Sequence, residues 1–264
     1  MTATGNTTDE LGIRPLTARS VLLSTLLGVD PPELPASRLV ATARLFGVED
    51  GTARVALSRM VRAGEVVAVG GRYRLAGRLL ERQRRQLTGR HPPPAGPWAG
   101  AWHVAVVTAT GRSARQRAEL RGALAGARLA EWREGVWVRP DNLRRPELPS
   151  ALRDHVAWLD ARPDDDPADV ASQLWDLGPW ATVARGLLDR LDATASALGE
   201  GDTAALASGF VLSAAVVRHL AADPLLPPRL LPGGWPGPAL RAAYDAWDAS
   251  YQRTLGDYHR RGSR

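Results

Sequence analysis

Residues 36–75 read ASRLVATARLFGVEDGTARVALSRMVRAGEVVAVGGRYRL, and the order of signals within them decides the fold. Leu39, Ala43 and Phe46 recur at three- and four-residue intervals, the period of one helix face, and Gly47 follows where that helix should stop. A second helix, EDGTARVALSRMVRAG, opens on Glu49 and Asp50, which suit the positive end of a helix dipole, and closes at Gly64. Its apolar stripe is Ala53, Leu57, Met60 and Val61. On the other side Arg54, Ser58 and Arg62 stand four residues apart, with Arg59 beside them and Thr52 one turn earlier. VVAV and RYRL then form two short strands joined at Gly70-Gly71, a dipeptide suited to a two-residue hairpin. Two helices at a tight angle followed by a hairpin make a winged helix-turn-helix, whose second helix enters the major groove. The same arginine row also suits a helix face that is merely solvated.

The rest of the chain bears on that choice. All 34 cationic side chains are arginine, since the 264 residues contain no lysine. Residues 1–90 carry 14 Arg against 8 acids, and residues 91–264 carry 20 against 20, so the entire excess of +6 sits with the helix-turn-helix. That is the electrostatic footprint expected of a nucleic-acid-binding domain. Guanidinium groups also meet phosphates and guanine edges bidentately. With no cysteine, disulfides and thiolate metal sites are excluded. No run approaches the roughly 18 apolar residues of a membrane span, and MTATGNTTDE is polar and acidic, unlike a signal peptide. A cytoplasmic protein with no membrane partner is expected.

Outward from the central stretch, residues 1–12 are expected to be a disordered tail. Thr17 to Leu27 reads as a support helix with Val21, Leu22, Thr25 and Leu26 facing the core, starting at Thr17 or Pro15 and ending at Gly28. VDPPELP reads as a loop by its prolines. After the hairpin, GRLLERQRRQLTGR is helix-prone and holds Arg78, Arg82, Arg84, Arg85 and Arg90; it is either a linker helix along the phosphate backbone or a solvated connector. HPPPAGP is a stiff break. Beyond Trp98, WHVAVVTA reads as a strand, RSARQRAELRGALAGA as a helix, RLAEWREG and VWVRP as a strand pair, SALRDHVAW as a helix and WLDARP as a last strand. That βαββαβ order is ferredoxin-like. From Asp169 the chain is helical, interrupted by DPLLPPRLLPGGWPGP. The fold class expected is therefore an α+β multidomain protein. It comprises a winged helix-turn-helix (13–77), a basic linker helix with its proline break (78–97), a ferredoxin-like domain (98–167) and an all-helical C-terminal domain (168–264).

Catalytic patterns are weak. The first strand of the ferredoxin-like unit ends Val106-Val107-Thr108-Ala109, without the carboxylate that a metal-assisted nuclease needs there. The five histidines show no metal-ligand spacing, and Asp164-Asp165-Asp166 reads as a solvated, proline-bounded loop. No G-x-S-x-G elbow or phosphate-cradling glycine loop occurs. No catalytic residue, metal or cofactor is expected. Trp175 and Trp180 suit either an apolar ligand pocket or helix packing, with packing favoured in a chain holding two phenylalanines. Arg218 and His219 suit either the phosphates of a CoA-type ligand or the C-terminal end of a helix.

Several segments together resemble the PaaX family of transcriptional repressors, regulators of phenylacetic acid catabolism. They are TARSVLLSTLLG (17–28), LFGVEDGTARVALSRMVRAG (45–64), YRL (73–75), VWVRPDNL (136–143) and RHLAADPLLPPRLLPGGWPG (218–237), and the likeness spans roughly residues 14–258. The resemblance implies a winged helix-turn-helix, a central domain like the CRISPR-adaptation ferredoxin-like nucleases, and a helical C-terminal domain. It further implies a homodimer on a palindromic DNA operator, released by an aryl- or acyl-CoA thioester. The DNA-contact residues expected are Thr52, Arg54, Ser58, Arg59 and Arg62 on the helix and Arg72 and Arg74 on the wing. Trp175, Trp180, Arg218 and His219 are the candidate effector contacts. The alternative is an interaction scaffold whose winged helix meets a protein partner.

Overall fold

The computed structural model describes residues 16–261, so the expected tail at 1–12 lies outside the described residues. The chain divides into two compact units: one holds residues up to Arg90 with Val183–Ala221 and the chain from Pro236 onward, the other His91–Thr182 with Ala222–Trp235.

The first unit begins with α1 (Ala18–Leu27), whose N-cap Thr17 exchanges hydrogen bonds with Ser20 in a capping box. Next come β1 (Glu33–Pro35), α2 (Ala36–Arg44), α3 (Asp50–Arg62), β2 (Val66–Val69) and β3 (Arg72–Leu75). Val21, Leu22 and Leu26 of α1 meet Leu39 and Ala43 of α2 and Ala53, Leu57 and Met60 of α3 in one core, closed by Val66 and Leu75. This is the winged helix-turn-helix expected from the spacing, with three differences. α2 stops at Arg44, before the expected Gly47, and Phe46 lies beyond it, half-buried with its ring 5.0 Å from that of Phe210. Val61 is exposed, not buried. At about 100° per residue it falls to one side of the stripe made by Ala53, Leu57 and Met60. VDPPELP contains a strand: β1 pairs antiparallel with β3, Glu33 opposite Arg74 and Pro35 opposite Arg72, in a sheet ordered β1-β3-β2. Pro35 is tolerated because β1 is an edge strand. The wing turn is Gly70-Gly71, both at positive φ (56° and 75°), the requirement of a type I′ hairpin.

The unit continues through α4 (Gly77–Arg90), the helix expected as linker or connector, which packs along α9 (Ala205–Ala221). Gln83 is 2% exposed, and its Nε2 donates to the Val29 carbonyl at 2.9 Å. At Gly89 the two helices touch so closely that a Cβ would lie 2.6 Å from the Leu220 oxygen. Arg90 Nε and Nη1 donate to Asp245 (2.6 Å) and Asp248 (2.8 Å) of α10 (Gly237–Arg261), and its guanidinium lies over the Tyr244 ring. Trp247 stacks on Tyr251 at 5.3 Å and donates its indole N–H to Thr194 of α8 (Leu177–Gly199).

The second unit is built on a sheet ordered β5-β6-β4-β7, with β4 at Trp102–Val107, β5 at Ala130–Arg133, β6 at Val136–Pro140 and β7 at Val156–Ala161. All pairings are antiparallel, which gives the ferredoxin-like order. One face packs against α5 (Ala114–Gly126), with Ala105, Leu120, Leu124, Trp137 and Val156 in its core. The other face, Trp102 and Val138, packs against α7 (Pro167–Leu174) and the 3-10 turn Pro228–Leu230 through Val170, Ala171 and Leu230. The second helix of the βαββαβ unit shrinks to a single turn, α6 (Ser150–Arg153), and β7 starts at Val156, earlier than the helical look of SALRDHVAW suggests. Pairing of Val156 with Val107 and of Trp158 with Ala105 draws those residues into the sheet. Two of the most distinctive sequence segments meet here. Asn142 Nδ2 donates to the Leu225 carbonyl at 2.9 Å and Arg128 Nε to the Asp223 carbonyl at 2.9 Å. Arg139, buried beside them, donates to the Ala127 carbonyl at 3.0 Å, and burial pushes its pKa down to about 10.

Candidate nucleic-acid interface

The three buried residues of α3, Ala53, Leu57 and Met60, fix which way the helix turns, and the core beneath them leaves the opposite arc to solvent. Thr52, Arg54, Ser58, Arg59 and Arg62 are all exposed on that arc. The guanidinium groups of Arg54, Arg59 and Arg62 make no hydrogen bond or ion pair among the described residues, although the charge of Arg54 helps hold the Asp50 carboxyl down. The acids at the start of the helix behave differently. Arg44 grips Asp50 through Nε and Nη2 at 2.7 and 2.6 Å, and that hydrogen-bonded guanidinium holds the Asp50 carboxyl below the usual carboxylate range. An ionised Asp50 beside Glu49 makes the helix start unfavourable for a phosphate, so anions are drawn to the guanidinium groups further along.

The wing arginines are exposed as well, but they share a counter-charge. Arg72 Nε donates to Glu33 Oε1 at 2.5 Å, and Arg74 Nη1 lies 4.0 Å from Glu33 Oε2. Glu33 was hidden from sequence reasoning because it stands in the proline-rich segment that reads as a loop. Only the pairing of β1 with β3 brings it beside Arg72 and Arg74. Arg19 and Glu65 form a further ion pair, tying α1 to the base of the wing.

The candidate effector residues fall in different places. Trp175 and Trp180 belong to the second unit and Arg218 and His219 to the first. Trp175 is half-buried and stacks with Trp102 at 6.2 Å; Trp180 is buried and stacks with Trp235 at 4.5 Å. Arg218 is exposed and His219 half-buried, both in the last turn of α9, where cations are favoured. A cleft of about 350 Å³ opens elsewhere in the second unit, lined by Trp102, Val104, Trp132 and Arg162 among others. The indole nitrogen of Trp102 is buried without a hydrogen-bond partner among the described residues. Neither Trp102 nor Trp132 stood out in the sequence, because nothing local separates a pocket tryptophan from a packing one. Among the described residues no cluster of three or more His, Asp or Glu side chains is placed to hold a metal ion, and no helix is long and apolar enough to cross a membrane.

Comparison with known proteins accords with these features. Residues 17–79 match the family model of the PaaX-like protein, and residues 95–161 match that of the PaaX protein central Cas2-like domain. No curated protein matches the chain. Among solved structures it is similar to the uncharacterized protein Rv0674 from Mycobacterium tuberculosis, with 44% sequence identity over 92% of this chain and 99% of that one and a TM-score of 0.68. A winged helix-turn-helix and a Cas2-like sheet in one chain, each matching the corresponding model, place this protein in the PaaX family, a family of transcriptional regulators.

Proposed function

We propose that the protein is a sequence-specific DNA-binding repressor of a catabolic or secondary pathway. It acts as a homodimer on a palindromic operator and is released by a small-molecule effector such as an aryl- or acyl-CoA thioester. The observation that carries this reading is the exposed arc of α3, where Arg54, Arg59 and Arg62 project beside Thr52 and Ser58, their guanidinium groups without a hydrogen bond or ion pair among the described residues. Residues near the helix start meet base edges, and a bidentate Arg–guanine contact contributes about 1–3 kcal/mol of discrimination. Arg62, Arg72 and Arg74 meet phosphates, which position the protein without reading sequence. An effector acts by binding the DNA-competent and incompetent arrangements with different affinity. Its acyl or aryl group is proposed to meet Trp175 and Trp180 of the second unit, and Arg218 and His219 of the first unit are proposed as a separate candidate contact for phosphates. No residue is assigned a catalytic role, and a DNA partner implies a cytoplasmic location.

The test is a gel shift on the DNA upstream of the protein's own coding region, run across a salt series and repeated with a panel of acyl-CoA thioesters. Specific binding that weakens steeply with salt, as counterion release requires, supports the proposal. One observation favours the scaffold reading: Val67 and Val69 of the wing are exposed, and an apolar wing edge suits a protein partner. That reading predicts no salt-dependent duplex binding.

A further inference from the structure

The exposed arc of α3 is not uniformly polar. At about 100° per residue, Gly51, Val55, Ser58 and Arg62 form its middle row, with Arg54 on one flank and Thr52 and Arg59 on the other. Val55 is 50% exposed, at the centre of a surface otherwise built for charge and hydrogen bonding. Its position is costly on two counts. A β-branched side chain loses rotamer freedom in a helix, and half of its apolar surface stays in water. The core does not ask for it, since Ala53, Leu57 and Met60 supply the buried contacts of α3.

The surroundings narrow what would meet it. Val55 offers neither charge nor hydrogen bond, so a phosphate gains nothing from it. Arg54 and Arg59 on either side complement a polyanion. Gly51, one turn earlier in the same row, has no side chain, and a Cβ built there would meet nothing within 4 Å. The helix therefore presents a low shoulder beside Val55 through which a groove floor can approach. In the major groove each base pair offers hydrogen-bonding groups on its edge, and the one apolar feature is the C5 methyl group of thymine.

We infer that Val55 is a specificity-determining residue that reads a thymine in each half-site through contact with its 5-methyl group. The inference rests on the DNA-binding reading of α3 and adds to it a position read without hydrogen bonds. It separates Val55 from Val61, which lies at the edge of the arc, and from Val67 and Val69, which belong to the wing.

The experiment uses the full chain. Duplexes bound by the wild type are selected from a random library, and every thymine of the consensus is replaced in turn by deoxyuridine, which removes only the methyl group. The expected result is one thymine per half-site at which the replacement weakens the wild type about fourfold, the equivalent of one methyl group at about 0.8 kcal/mol. Val55→Ala, which lacks two of the methyl groups, loses most of the preference for the thymine duplex over the deoxyuridine duplex. Alanine is the better helix former, and an unchanged melting temperature for Val55→Ala establishes that it is folded. Indifference of the wild type to every replacement overturns the inference while leaving DNA binding intact, as does an equal loss in wild type and Val55→Ala. Failure of the library to yield any bound duplex overturns the DNA-binding reading itself, and the inference with it.

Discussion

Two helices flanking the same hairpin are rich in arginine, with three on α3 and five on α4, and the fold engages them to different degrees. On α3, Arg54, Arg59 and Arg62 face solvent without hydrogen-bond or ion-pair partners among the described residues. On α4, Arg78, Arg82, Arg84 and Arg85 are exposed too, but Gln83 and Gly89 are buried along α9, and Arg90 is held by two carboxylates and an aromatic ring. Arg82 is exposed, yet its neighbours take away enough solvent to lower its pKa, helped by the charges of Arg85 and Arg218. For Arg90 burial acts in the same direction, but hydrogen bonds and charge from Asp245 and Asp248 outweigh it, and its pKa rises. An arginine count therefore does not identify a DNA-binding face. Exposure and the presence or absence of a fixed counter-charge must be read from the fold, residue by residue.

That contrast is open to direct attack. The largest effect is expected at Arg90, where Arg90→Ala leaves Asp248 mostly buried without its ion-pair partner and should cost about 3 kcal/mol. Denaturant unfolding measures it, and an unchanged midpoint would show that α4 is not anchored as described. Gly89→Ala attacks the same helix from the backbone side. With a Cβ forced to within 2.7 Å of Ala221, the loss should reach about 2 kcal/mol. On α3 the pattern reverses. Arg54→Ala should change unfolding by less than about 0.5 kcal/mol, as exposed positions do. Its discrimination at one base pair should nevertheless fall by about 2 kcal/mol, read by competition binding. Equal losses on specific and random DNA would move Arg54 to the phosphate class.

The wing offers an intermediate case, since its arginines are exposed but share Glu33. Glu33→Gln should tighten binding to every sequence severalfold. It should also steepen the slope of log affinity against log salt by about 1, as one more phosphate contact becomes available. A slope identical to wild type would mean that Glu33 does not restrain the wing.

The smallest effect is expected at His259 of α10, whose Nε2 lies 3.1 Å from Thr42 Oγ1 of α2. Burial lowers its pKa, helped by the nearby charge of Arg38. Because the folded pKa lies below the unfolded value of about 6.5, the unfolded chain binds more protons between the two. Stability is then full above the unfolded pKa and declines as the pH falls through the folded one. His259→Gln should flatten that part of the stability–pH curve, and an unaltered curve would remove His259 as its source.

How much was legible beforehand differs from element to element. The stretch EDGTARVALSRMVRAG placed α3 almost to the residue, because apolar spacing, acidic start and glycine stop are all local signals. The strand Glu33–Pro35 was not legible, since prolines mark loops and edge strands alike and its partner β3 is remote in sequence. The early start of β7 is hidden for a related reason: SALRDHVAW suits a helix until β4 claims its second half. The exposure of Val55 is not legible in the sequence, because an isolated valine among arginines suits a buried or a solvated face alike.

By itself the sequence determined the start of α2, the span of α3 to within two residues, the turn of the wing and which arginines share a helix face. Those properties depend on residues a few positions apart. The tertiary structure alone decided which arginines keep their charge for a partner. The counter-charge of Arg72 comes from 39 residues away, and those of Arg90 come from 155 and 158 residues away. An ion pair forms where folding brings two groups within a few ångströms, and no local pattern records that meeting.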